Sequence, residues 1–317
     1  MNRYRKCKVN RVLLKVIGCV FVLYLAVVFA GCTNNINTVE ENGKINVVTT
    51  IFPYYDFVRQ VAKDKVNLTM SVPAGMDTHS FEPTAADMIN IKNADVIIYN
   101  GGEMEGWVDE VLKAASNEKA IATKMMDYVD VVTEELNGES TDEYDEHIWT
   151  SPINASEIVY KIADILSEAD KINSEYYHNN ADIYSKKLKN IDSRFRELIN
   201  SSNKKYLVFA DRFPLRYFVD EYGLNYSAAF AGCSTEIEPS ANTIAFLIDK
   251  VKEENIPVIL KIELTSARVA NAIAEETNTK VMTFYTCHNV TKEQFNSGIT
   301  YCDLMEENID VLKKTLS

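Results

Sequence analysis

In the middle of the chain, apolar residues recur at intervals of 4, 3, 4, 3, 4 and 3: Tyr177, Ala181, Tyr184, Leu188, Ile191, Phe195 and Leu198. Side chains spaced in this way share one face of an α-helix. The spacing predicts a single helix over Ser174–Ser201, about 27 residues and so ~40 Å long. A rod of that length sets the dimensions of whatever it joins. The seam also suits a coiled-coil dimer, at about three and a half heptads. The flanking sequence offers it a surface within its own chain instead.

On both sides of the rod, short β-branched runs alternate with helical patterns. Before it, strands are predicted at 45–52, 66–72 and 95–99, with a weaker one at 120–124. Helices are predicted at 54–62, 85–93 and 104–115, and Pro152 marks the entry to a further helix at 154–169. After the rod, strands at 205–210, 225–230, 257–262 and 280–285 alternate with helices at 214–222, 240–254, 266–277 and 299–316. Strand–helix alternation builds parallel sheets covered on both faces. The expected fold is therefore α/β: two lobes, each a mainly parallel four-stranded sheet with flanking helices, joined by one long rigid helix, with a cleft between them. The divisions are an N-terminal lobe at 45–170, the connecting helix at 171–203 and a C-terminal lobe at 204–317. A chain of 317 residues accommodates two such domains.

The first residues read as an address. Residues 1–31 carry six basic side chains and no acidic one, and positions 16–29 run fourteen residues without a charge. That run is short for a bilayer span and fits the core of a secretory signal. An uncleaved anchor helix is the alternative. Ala30-Gly31-Cys32 follows at once and resembles a bacterial lipobox, with Phe29 where Leu is usual. Cys32 is then the lipidation site, and 32–44 the lipidated Cys and its polar tether. Two acyl chains hold a protein firmly at a membrane surface. Cys233, Cys287 and Cys302 remain beyond this region, an odd number whose spacing matches no zinc ribbon.

Charge excludes one large class of function. Without the six leader residues, 27 basic side chains face 46 acidic ones, a balance of about −19. A nucleic-acid binder needs the opposite sign, and such a surface attracts cations. No nucleophile elbow, zinc-protease helix, phosphate loop or dinucleotide fingerprint occurs. The acidic stretch 133–146 contains no His and reads as a solvated excursion or a weak cation-attracting field.

The chain has four His residues. His79 lies in a loop after the strand at 66–72, His147 at the end of the acidic stretch, and His288 just beyond the strand at 280–285. Asp211 and Glu263 directly follow two other strands. Ligands gather at the carboxyl ends of parallel strands, so these positions from both lobes can converge on one cleft. Each also has a plainer role. A loop His can be a surface or capping residue, Asp211 can pair with Arg212, Glu263 can cap the helix near Ser266, and His288 can serve a turn. His178 reads as a solvated residue of the long helix, and Trp107 and Trp149 as packing residues.

Several segments together resemble the substrate-binding lipoproteins of zinc/manganese ABC transporters. They are Ile51-Phe-Pro-Tyr-Tyr-Asp56, Gly75-x-x-x-His79-x-Phe-Glu-Pro-Thr84, Ala94-Asp-Val-Ile-Ile-Tyr-Asn-Gly101 with Trp107, His147-Ile-Trp149-x-x-Pro152-x-Asn154, Tyr177-x-x-Asn180 and Tyr217-Phe-x-x-x-Tyr-Gly-Leu224. The resemblance covers essentially all of 45–317. It implies capture of Zn2+ or Mn2+ rather than catalysis, an ABC permease as partner, and a lipid-anchored place on the extracytoplasmic face of the cell membrane. We expect a monomer. The alternatives are a surface metallohydrolase with Glu263 as general base, and a metal-binding adhesin. His79 and His147 match the family's two N-lobe ligands. The C-lobe departs from the family: Asp211 stands nearest the first ligand position, and Tyr285, Cys287 and His288 cluster at the second. Imidazole binds divalent metals at neutral pH where a phenol does not, so His288 is the expected ligand there. Glu263, Tyr285 and Cys287 are its alternatives or supports. Because ligand imidazoles must be neutral, binding is expected to weaken as pH falls toward ~6.5 and below.

Overall fold

Residues 43–317 are described by the computed structural model, except 233 and 235–237, and of Thr141 only the backbone. The expectations for the leader, for Cys32 and residues 33–42 of the tether, and for Cys233 fall outside the described residues.

The N-terminal lobe is a parallel sheet of β1 (Ile45–Thr49), β2 (Val66–Met70), β3 (Val96–Tyr99) and β4 (Ile121–Lys124), in the order β2-β1-β3-β4. Val47, Val96 and Ile98 enter the main core, while Val48 and Ile97 turn to the opposite face. Burial on both faces is why these strands read as continuous apolar runs. Helix α1 (Phe52–Ala62) covers the core side, and α2 (Ala85–Lys92) with α3 (Gly106–Ala115) covers the other. A hairpin of β5 (Thr133–Leu136) and β6 (Glu139–Tyr144) follows, then helix α4 (Pro152–Ala169).

Helix α5 (Ser174–Ser201) has 28 residues, about 42 Å of rod. It buries Tyr177, Ala181, Tyr184, Leu188, Ile191 and Phe195 as the spacing predicts, but in its last turn Ile199 is buried and Leu198 only partly. A helix of 3.6 residues per turn drifts off a 3.5-residue repeat by about 20° per heptad. The rod lies along α4, where the hydroxyls of Ser156 and Ser185 meet at 2.7 Å.

The C-terminal lobe repeats the plan. Strands β7 (Tyr206–Phe213), β8 (Asn225–Ala231), β9 (Val258–Lys261) and β10 (Lys280–Thr283) form a second parallel sheet, ordered β10-β9-β7-β8. Helices α6 (Arg216–Tyr222) and α10 (Tyr301–Thr315) face the main core, and α7 (Ala241–Glu253) with α8 (Arg268–Thr277) closes the far side. A short α9 (Lys292–Ser297) precedes α10.

In each sheet the first strand is central and the chain goes first to one side and then to the other. That switch opens a crevice at the carboxyl ends of the strands. The rod grips both lobes: Asn180 Nδ2 donates to the Val61 carbonyl at 2.9 Å, Tyr184 Oη to Asp56 Oδ2 at 3.0 Å, and Tyr222 Oη to Asp192 Oδ1 at 3.1 Å. Asp56, wholly buried on α1, also accepts the Tyr301 N–H at 2.8 Å and the Arg59 Nε–H at 3.0 Å. A carboxylate of one lobe thus sits at the helix N-terminus of the other, where the backbone dipole favours it.

Three local differences from the expectations have clear causes. The first strand stops at Thr49 because Pro53 starts a helix. Strand β7 runs to Phe213, through a register irregularity between Phe209 and Arg212, so Asp211 lies inside the strand rather than after it. The acidic stretch is a hairpin, turned by Asn137 and Gly138 at φ 53° and 92°, the left-handed pair that a two-residue turn needs. Among the described residues, no helix is long and apolar enough to cross a membrane.

Candidate metal centre

His79 sits in a 3₁₀ turn, Thr78–Ser80, capped by Asp77, whose Oδ1 accepts the His79 N–H at 3.1 Å. The C-terminal lobe fixes this loop. Asn289 Nδ2 donates to the carbonyls of Pro73 and Met76, both at 2.9 Å, and Val290 accepts the Gly75 N–H at 2.7 Å. Arg212 pairs across the cleft with Asp77 at 3.1 Å, not with its neighbour Asp211.

His147 lies in the segment between β6 and α4 and is wholly buried. Asp145 Oδ1 accepts both the backbone N–H of His147, at 2.8 Å, and its ring Nδ1–H, at 3.0 Å. A carboxylate only accepts, so the proton is on Nδ1 and the lone pair is on Nε2. That Nε2 is buried and has no hydrogen-bond partner. Leaving a buried acceptor bare costs about 1–3 kcal/mol unless something meets it.

His288 follows β10. Glu263 Oε1 accepts its backbone N–H at 3.1 Å, and the Trp149 ring lies against its imidazole with centroids 5.1 Å apart. Trp149 is itself fixed by its Nε1–H donating to the Thr286 carbonyl at 2.9 Å.

The three rings converge. Their ligand-capable nitrogens all lie within 4.8 Å of one another. Ring centroids are 6.1 Å apart for His79 and His147, 5.4 Å for His79 and His288, and 5.3 Å for His147 and His288. The electrostatics favour the neutral form of two of the rings, His79 and His288. Burial, then the His147 ring and the Arg212 guanidinium, push the His79 imidazole down to about 4 against the pull of Asp77. Burial, with His147 and His79 beside it, holds His288 well below the ordinary histidine value. Three imidazoles around one point, one with a buried ring nitrogen that has no partner, suit a divalent transition metal.

The other expected residues lie around the trio without joining it. Asp211 lines an adjoining cavity of about 430 Å³, together with His79, Glu263 and His288. Its Oδ2 accepts the Ile262 N–H at 3.3 Å and the Thr265 hydroxyl, and its Oδ1 the Arg212 N–H at 2.9 Å. Glu263 does not cap α8. Both its oxygens hold the loop under His288, through the Thr286 N–H at 2.8 Å, the Thr286 hydroxyl at 2.7 Å and the His288 N–H. Tyr285 is tied through its backbone to Asn308. Cys287 packs in the apolar core, and burial pushes its thiol well above the ordinary value. His178 pairs with Asp164 at 3.0 Å on the surface, as a solvated helix residue should. Sequence reasoning missed Asp145, whose only signal is its place two residues before His147, the spacing of an Asx turn. It also missed the loop clamp by Asn289, which no spacing announces.

A two-lobed α/β fold with a rigid connecting helix, and a histidine cluster drawn from both lobes, defines a metal-receptor class of solute-binding protein. The chain belongs to the family described as zinc-uptake complex component A, periplasmic, whose profile matches residues 47–315. It is 33% identical over 303 residues to the high-affinity zinc uptake system protein ZnuA of Bacillus subtilis, covering 92% of this chain and 94% of that one. Among solved structures it resembles the metal-dependent lipoprotein YcdH of Bacillus subtilis, with a TM-score of 0.75 and 33% identity, over 86% of this chain and 99% of that one. It also resembles Zn(II)-bound AdcA of Streptococcus pneumoniae, with a TM-score of 0.74 and 31% identity, over 86% of this chain and 58% of that one. The chain therefore matches little more than half the length of AdcA.

Proposed function

We propose that this protein captures a zinc ion outside the cytoplasm and delivers it to the permease of an ABC transporter. The observation that carries the reading is the convergence of His79, His147 and His288 within 4.8 Å, with His147 Nε2 buried and unpartnered. The relatives support it, since ZnuA is named for zinc uptake and AdcA was solved with Zn(II).

The three histidines are the proposed ligands. Each offers a ring nitrogen, the donor type zinc accepts near 2.0–2.1 Å. Manganese favours oxygen, and the trio contains none, so zinc is the preferred cargo. An ion bound to His79 and His288 at once ties the two lobes together by its preference for that arrangement. Surface features of the joined lobes are then what a permease reads. Glu263 is occupied in holding the His288 loop, through three hydrogen bonds to its two oxygens, which favours a structural role over that of a general base. The lipid anchor at Cys32, the extracytoplasmic membrane location and a monomeric state complete the proposal.

Removal of one ligand tests it. His79→Ala should melt close to wild type without metal and His147→Ala somewhat lower, since a buried ring is lost, yet both should lose most of the zinc-induced rise in Tm. Equal rises in the variants and the wild type would refute the assignment.

A further inference from the structure

Three imidazoles leave a tetrahedral zinc site one donor short. The nearby carboxylates each have other partners. Asp211 holds Ile262 and Thr265, Glu263 holds Thr286 and His288, and Asp77 holds the His79 N–H and Arg212. The Cys287 thiol lies in the apolar core. A sulfur touches one member of the trio: Met104 Sδ lies 2.8 Å from His288 Nε2.

Met104 is held there by the backbone rather than by loose packing. It belongs to the turn that leaves β3, and its N–H donates to Glu146 Oε2 at 3.0 Å, while the Glu103 N–H donates to Glu146 Oε1. Glu105 Oε2 accepts the N–H groups of Asn100 and Gly101 at 2.6 and 2.9 Å, closing the same turn from inside. Asn100 Nδ2 donates to the Glu146 carbonyl at 2.8 Å. Gly102 stands at φ 84°, and a Cβ there would run into the Glu146 carboxylate. The residue next to His147 therefore also positions Met104, so one clamp sets a nitrogen and a sulfur of the same site.

We propose that the Met104 thioether is the fourth donor of the metal site and the residue that turns it toward zinc and away from manganese. This rests on the reading of the histidine trio as the metal site. Thioether sulfur suits zinc and softer ions, while manganese seeks carboxylate, carbonyl or water. Two ligands of one tetrahedral zinc, with Zn–N about 2.0–2.1 Å and Zn–S about 2.3 Å as for a thiolate, stand about 3.5 Å apart. The sulfur then needs to move by less than about 1 Å, within reach of an unbranched side chain with three rotatable bonds.

X-ray absorption at the zinc edge of the singly loaded protein tests this directly, beside Met104→Leu, which keeps the apolar bulk and removes the sulfur. The wild type should show one sulfur scatterer among nitrogens, and the variant none. In competition titrations with zinc and manganese, the variant should lose about tenfold of its preference for zinc, with the metal-free Tm little changed. Zinc held by nitrogen and oxygen alone in the wild type, or an unchanged metal preference in the variant, overturns the proposal and leaves the receptor reading standing. A wild type that takes up no zinc brings down both.

Discussion

Replacing Asp145 by Asn keeps the side chain's shape behind His147 and removes its charge. The carboxylate does two things for the ring. Its Oδ1 receives Nδ1–H at 3.0 Å, so the lone pair stays on Nε2, and it stabilises the positive charge that the ring gains on binding a cation. An Asn oxygen still accepts the proton, but with no charge, and the amide can also turn its NH₂ toward the ring and favour the wrong tautomer. Loss of such an outer partner costs about 10–100-fold in metal affinity, which is about 1.4–2.7 kcal/mol. Without metal the sign reverses. Asp145 is wholly buried, and its Oδ2 has no hydrogen-bond partner, so a neutral amide relieves an unfavourable buried charge. Asp145→Asn should therefore bind zinc more weakly while the metal-free protein melts at the same temperature or higher. Zinc titration against a competing chelator, with melts of the metal-free protein, measures both. Unchanged zinc affinity would refute the tautomer argument; a lower metal-free Tm would refute the charge argument.

pH gives a second prediction. An unfolded His takes up a proton near pH 6.5, whereas folded His79 is held down to about 4 by burial, with the His147 ring and the Arg212 guanidinium beside it. Below pH 6.5 the unfolded chain binds the extra proton, so the metal-free protein should lose up to about 3 kcal/mol as pH falls from 6.5 to 4. For the same reason His79 and His288 should stay unprotonated at pH 5.5, where an exposed imidazole is charged; NMR titration of their ring protons in the metal-free protein decides it. Asp211→Ala should lower the Tm, by the equivalent of about 1–3 kcal/mol, because the buried Ile262 N–H loses its acceptor. Its zinc affinity should stay within about threefold, and a larger loss measured by calorimetry would return Asp211 to the ligand set. Asp56→Ala should cost about 3–5 kcal/mol in denaturant melts, since Arg59, Tyr184 and the Tyr301 N–H lose their common acceptor.

The sequence alone determined the architecture because each feature of it is local and periodic. The seam from Tyr177 to Phe195 is a property of one helix, and the apolar runs of β1, β3, β7 and β9 follow from burial on both faces. His79, His147 and His288 were also legible, since scarce side chains at strand ends have few places to converge. Spacing could not assign Asp211. Whether a carboxylate faces an ion or a backbone N–H depends on the strand it lies in, and β7 runs past Asp211 to Phe213. Nor could it place Met104 against His288, 184 residues away, because the turn that carries Met104 is held by Glu146 of the His147 segment, a contact between distant parts of the chain. Tertiary structure alone decided which donors meet, because a ligand set is fixed by distances between side chains that the chain order does not encode.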